Sequence, residues 1–216
     1  MKKLSFVVAG TAALLAGLAT IPAVVAGDSA TAQTQTPGAA TPANVQAGTY
    51  QVDANHTQVL WSVDHLGFSR LYGMVGGMSG RLDIDPDQLS RAKVEIDIPL
   101  SGLTVTSTGF GQHLQTADLF DTAQFPTGRF VSRTVEVRGQ EATITGDLTL
   151  RGVTRPVTLD ARFYGAGVNP MNQAPTIGFS ARATVTRSDF GLGYGAPAVS
   201  DIVQLEIAAA FEKRAN

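Results

Sequence analysis

The chain has 216 residues, 16 basic and 18 acidic, no cysteine, and 44% hydrophobic residues. That is too little positive charge for a nucleic-acid partner, and an exported form would depend on its core and not on disulfides. A lipid-modified cysteine anchor is excluded as well.

The chain opens Met1-Lys2-Lys3, followed by an apolar run from Leu4 to Val25 that ends at the small residues Ala26 and Gly27. A charged start, an apolar stretch and a small-residue junction predict a bacterial-type secretory signal over 1–26, cleaved after Ala26, with the mature protein in the periplasm. The run is also close to the roughly 20 residues that span a bilayer, which leaves an uncleaved anchor as the alternative. Removing Lys2 and Lys3 takes the basic residues from 16 to 14 against 18 acidic, a mature net charge of −4.

From 27 to 48 the composition turns to Ala, Thr, Gln, Pro and Gly. Such a stretch buries too little apolar surface to offset its ordering entropy, so a flexible tether is expected there. One folded domain then occupies 49–216.

Within it, alternation of apolar and polar residues repeats strand after strand. Val59, Trp61, Val63 and His65 share one face; Met74, Gly76, Met78, Gly80, Leu82 and Ile84 share the next; Val94, Ile96, Ile98 and Leu100 follow. The stretch Gly109 to Phe125 has helical spacing instead, and a further strand lies near Phe130. A hairpin spans Gly146 to Gly165, with Ile144, Gly146, Leu148 and Leu150 on the apolar face of one strand and Val157, Leu159, Ala161 and Phe163 on that of the other. The last two strands present Ile177, Phe179, Ala181, Ala183 and Val185, then Val203, Leu205, Ile207, Ala209 and Phe211.

About eight strands and one short helical segment predict an all-β sandwich or closed barrel. The small inward residues Gly76, Gly80, Gly146, Ala161, Ala181, Ala183 and Ala209 either leave a ligand space inside a barrel or allow close packing and bends.

Chemistry-bearing motifs are sparse. His56, His65 and His113 are far apart and lack zinc-site spacing, so no metal is expected. Asp83, Asp85 and Asp87 resemble a calcium loop, but Gln88 and Val94 stand where glycine and a bidentate glutamate belong, so strand-end capping is expected. No GxSxG elbow occurs, and the glycines of Gly191 to Gly195 precede Ala196-Pro197 and not a helix. Arg187 with Asp189 could meet an anionic head group through paired N–H donors, or form an ion pair with Asp189 or Asp118. Trp61 fits core filler and ligand wall equally well.

The stretches "YQVDANHTQVLWSVDHLGFSRLYGMVGGMSGRLDID", "HLQTADLFDTAQFPTGRFVS", "ITGDLTLRGVTRPVTLDARF", "FSARATVTRSDFGLG" and "DIVQLEIAAAFEK" resemble, in order and spacing, the successive blocks of the YceI-like family. The resemblance implies an eight-stranded antiparallel lipocalin-like barrel, non-enzymatic and periplasmic, that holds a polyisoprenoid such as an isoprenoid quinone or its precursor. An enzyme acting on isoprenoids, or a filled barrel working through protein partners, is the alternative. The apolar lining expected from it is Trp61, Val63, Met74, Met78, Leu82, Ile96, Ile98, Leu148, Phe179, Ala181, Ala183, Val185, Leu205 and Ile207, with His65 and Arg187 at the polar end. No cofactor is expected besides the bound lipid, and the protein is expected to be a monomer or homodimer. Before His113, where the family usually carries an acidic and basic pair, this chain has Gly109-Phe110-Gly111-Gln112.

Overall fold

The computed structural model describes residues 36–214, so the proposed signal segment and the start of the tether lie outside the described residues. The strands are β1 (Gly48–Val52), β2 (Gln58–His65), β3 (Ser69–Gly76), β4 (Ser79–Ile84), β5 (Lys93–Pro99), β6 (Leu103–Thr104), β7 (Thr127–Arg138), β8 (Glu141–Leu150), β9 (Val153–Val168), β10 (Pro175–Thr186) and β11 (Ile202–Glu212). One α-helix, α1 (Thr108–Gln115), follows β6 and is N-capped by Ser107, whose side chain accepts from the Phe110 amide.

All neighbouring strands are antiparallel, and β1 pairs with both β4 and β11, which closes the sheet on itself. β1 and β2 act as one interrupted strand, β3 and β4 as one bent strand, and β5 and β6 as a third, so the wall is an eight-stranded closed barrel. Closure removes the free sheet edges that a sandwich would leave.

The register explains the correct and incorrect face assignments. Across the β8–β9 hairpin, Leu148 opposes Arg155 and Ile144 opposes Leu159, joined by the turn Arg151-Gly152 with φ of 49° and 73°. Both positive values are what a two-residue turn between twisted strands requires. The continuous inward face expected from Met74 to Ile84 is broken. At Gly77, φ is +71°, and the kink between β3 and β4 shifts the alternation by one residue. Leu71 and Val75 point inward on β3, whereas Met74 is 37% exposed on the outside.

The tether reading also needs correction over its described part. Ala39 bridges Ala166 of β9, Pro42–Asn44 forms a 3-10 turn, and Val45 packs against the cluster around Tyr50 and Phe211. Low apolar content did not prevent order, because this strap uses the backbone of β9 as its partner.

The interior has two packed zones. At one end Phe130, Leu148, Val157, Ala183, Val185, Phe190 and Leu192 form a cluster; at the other Tyr50, Leu82, Ala166, Ile177 and Phe211 do.

Candidate functional site

A cavity of about 960 Å³ runs through the barrel between these zones. Most of its wall is aliphatic or aromatic side chain, contributed by inward positions of every long strand. Among the sequence-predicted lining residues, Trp61, Val63, Met78, Leu82, Ile96, Ile98, Leu148, Phe179, Ala181, Val185, Leu205 and Ile207 are on the wall. Met74 is not, for the reason given above. Ala183 points inward but does not border the cavity; it belongs to the packed cluster of Phe130, Leu148, Val157, Phe190 and Leu192.

The two ends differ. One rim carries His65, Ser107, His113, Arg187 and Tyr194, from β2, α1 and the loop between β10 and β11. The His113 ring meets Tyr194 edge-on at 4.9 Å between centroids, and its Nε2 lies 3.2 Å from Asp118 Oδ2. His56 pairs instead with Asp53 at 2.5 Å, away from this rim. His65 and His113 thus share a rim while His56 stands apart, and among the described residues no group of three His, Cys, Asp or Glu side chains is placed to hold a metal ion. The opposite end is bordered by Pro42, Ala43 and Val45 of the strap, by Pro86 and Leu89, and by Gly139, Gln140 and Glu141 of the β7–β8 turn, where Gln140 Nε2 donates to Ala40 O.

Arg187 borders the cavity, yet its guanidinium makes neither of the contacts expected from sequence. Nε donates to Ser200 O at 2.9 Å, Nη2 to Val199 O at 2.8 Å, and Nη1 to Tyr194 O at 2.9 Å and to Leu192 O. Neither Asp189 nor Asp118 pairs with it; Asp201 is the carboxylate that acts on it. Burial lowers the Arg187 pKa from its ordinary value, and the Asp201 charge partly opposes this. With its N–H groups turned to carbonyls of its own loop, this side chain shapes the rim and has little donor capacity left for a head group.

Other residues at the site had no sequence signal. Arg151 donates from Nη1 to Leu119 O and Gly191 O, each at 2.9 Å, and from Nη2 to Ala117 O at 2.7 Å, joining the segment after α1 to the β10–β11 loop. Phe110, in the segment where the family pattern differs, lines the cavity and packs edge-on against Trp61 at 6.5 Å. The indole of Trp61 fits because its cross-strand partner is Gly73, where a Cβ would stand 2.1 Å from the ring. Its N–H is buried without a hydrogen-bond acceptor.

In the acidic run Asp83 makes a cross-strand contact and only Asp85 caps the turn. Asp83 Oδ1 accepts from the Thr49 hydroxyl at 2.5 Å, and Asp85 accepts from the Asp87 amide at 3.0 Å and from Gln88 Nε2 at 3.2 Å.

A sequence model of the YceI-like domain matches residues 50–211. The chain is 36% identical over 148 residues to the protein YceI of Escherichia coli, covering 68% of this chain and 77% of that one. Its structure is similar to that of a YceI protein of Campylobacter jejuni, with a TM-score of 0.62 at 25% identity, covering 70% of this chain and 90% of that one. It is also similar to a polyisoprenoid binding domain from Saccharophagus degradans implicated in plant cell wall breakdown, with a TM-score of 0.56 at 12% identity over 76% of this chain and 98% of that one.

Proposed function

The chain belongs to the YceI-like family, and on that premise we propose that it is a periplasmic carrier that sequesters or moves a long-chain polyisoprenoid, an isoprenoid quinone or a precursor of one. The observation that carries this reading is the cavity: about 960 Å³ of space along the barrel, bounded almost entirely by apolar side chains. An isoprenoid tail offers only apolar surface, and its burial contributes roughly 25 cal/mol per Å² removed from water. Part of that gain is offset by the freedom the chain gives up.

One rim offers a cluster of polar side chains to a head group. His65, Ser107, His113 and Tyr194 border this rim and offer hydrogen-bonding groups to a polar end. The name of the Saccharophagus degradans domain agrees with an isoprenoid ligand. We read the protein as a binder, because the space the barrel encloses is bounded almost entirely by apolar side chains. The charged start, apolar run and small junction over 1–26 support export, with the mature chain beginning at Gly27.

The test is mass spectrometry of a solvent extract of the purified protein, together with the intact mass of the periplasmic form. A polyisoprenoid near one per chain is expected. An extract without such a lipid, from protein that also fails to take up added polyprenol after delipidation, would overturn the reading.

A further inference from the structure

The strap upstream of the family domain occupies a gap in the barrel wall. β9 runs to Val168, but its neighbour β8 begins at Glu141, opposite Arg162. From Phe163 onward β9 therefore has β10 on one side and no strand on the other. Its unpaired backbone groups need partners.

The strap supplies them. The Ala39 amide donates to Ala166 O at 3.1 Å and the Ala166 amide donates back to Ala39 O at 2.9 Å. Asn44 Nδ2 donates to Ala166 O at 3.3 Å, and Gln140 Nε2 donates to Ala40 O at 3.1 Å. The sequence of β9 accommodates this approach: a Cβ at Gly167 would stand 2.0 Å from Pro37 O, and one at Gly165 would stand 3.2 Å from Ala39 O. Farther along, the Tyr50 hydroxyl donates to Gln46 O at 2.9 Å and Lys213 Nζ to Ala47 O at 2.7 Å. Held at both ends, the strap places Pro42, Ala43 and Val45 on the cavity wall at the end remote from His65 and Tyr194.

We propose that residues 37–45 are a floor that sets the length of the isoprenoid chain the cavity accepts. This rests on the lipid reading above. A tail entering from the rim gains affinity with each added isoprene unit while that unit is still buried, and stops gaining when its end meets Pro42, Ala43 and Val45. The domain model of the family starts at residue 50, so this limit is added by a segment outside it.

The experiment measures the affinity of delipidated full chain for farnesol, geranylgeraniol, solanesol and undecaprenol, read by the fluorescence of Trp61, the single tryptophan of the chain and a cavity residue. Three variants are compared with wild type. Gly167→Val expels the strap by collision with Pro37. A deletion of 37–45 removes it. Ala39→Cys with Ala166→Cys fixes it, since directly opposed hydrogen-bonded residues lie about 5.5 Å apart at Cα and suit a disulfide, and the chain has no other cysteine.

Wild type and the oxidised double-cysteine protein are expected to reach a plateau at the same chain length. In Gly167→Val and the deletion the plateau moves to longer chains, and the longest alcohol binds about tenfold tighter, the gain from burying on the order of 55 Å² more apolar surface. An unchanged plateau in the deletion, with a cooperative melt showing that the barrel is folded, would overturn the floor while leaving the lipid reading in place. No binding of any alcohol by wild type would overturn the lipid reading and the floor with it.

Discussion

Ala181 and Ala183 are two inward positions on one strand, two residues apart, and the structure separates them sharply. Ala181 borders the cavity, opposite Ala161 on β9 and Ile207 on β11. Ala183 opposes Leu205 and belongs to the packed cluster of Phe130, Leu148, Val157, Phe190 and Leu192. A phenyl ring added at 181 enters space that no protein atom occupies, so Ala181→Phe brings no strain and gains part of the ~1.5–3 kcal/mol that burial of a Phe side chain is worth. The same ring at 183 must displace packed neighbours, and overpacking of this kind costs about 1–3 kcal/mol. For a domain of this size that is a fall in melting temperature of roughly 2–4 °C per kcal/mol.

The assay is urea unfolding of both variants and wild type after delipidation, followed by measurement of lipid uptake. Delipidation matters because a ligand that binds only the folded state raises apparent stability by itself. Ala183→Phe is expected to lose stability, and Ala181→Phe to keep its stability but take up less lipid. Equal losses at both positions would refute the placement of the cavity wall. Full lipid uptake by Ala181→Phe would refute the view that this space holds the ligand.

Three other perturbations probe the frame around the site. Arg187→Lys leaves one ammonium to serve the carbonyls of Leu192, Tyr194, Val199 and Ser200, and a loss of about 2 kcal/mol or more in denaturant unfolding is expected, with faster amide exchange in the β10–β11 loop; an unchanged midpoint would show that the guanidinium does not hold the loop. Gly146→Ala puts a Cβ 2.5 Å from Phe130 Cζ and is expected to cost about 1–3 kcal/mol in the same measurement, a neutral result being incompatible with the packing described. The Ser188 hydroxyl, the largest influence, together with the Ser188 amide and the Arg187 charge, holds the Asp201 carboxyl below its ordinary value of 3.8. Its stabilisation is therefore present above that value and lost as pH falls through the lower folded one, so Asp201→Asn should flatten the acid limb of a stability–pH profile below about pH 4, and an unaltered limb would rule the contribution out.

Much of the barrel was legible because a strand has a period of two. Inward faces on β2, β5, β8, β9, β10 and β11 follow from alternation alone, and the β8–β9 hairpin was visible from Gly152 between two alternating runs. Met74 was misplaced because alternation assumes an unbroken strand, and a single kink at Gly77 reverses the face of everything before it. Arg187 was offered carboxylate partners because a sequence displays charges, whereas the acceptors it found are backbone carbonyls that every residue carries. The strap was missed for a related reason. Composition reports how much apolar surface a segment can bury, but Ala39 is held by amide and carbonyl groups of β9, and the exposed edge that makes this possible exists only once β8 has ended short of it.

The small inward residues divide by a physical rule that alternation does not reveal. Glycine on the inner face marks a place where something else already fills the space: the Phe130 ring at Gly146, the β5 backbone at Gly80, the Trp61 indole at Gly73. A Cβ at any of these would collide, so the missing side chain relieves crowding and adds no volume. Alanine behaves differently. Ala161, Ala181 and Ala209 keep a methyl group on the wall, and the cavity borders all three. Ala183 lies instead in the packed cluster that includes Phe190 and Leu192, residues of the loop that Arg187 organises. The extent of the cavity at the rim therefore depends on the conformation of the β10–β11 loop as well as on the size of the strand residues, which makes a guanidinium turned to the carbonyls of its own loop a determinant of where a ligand can sit.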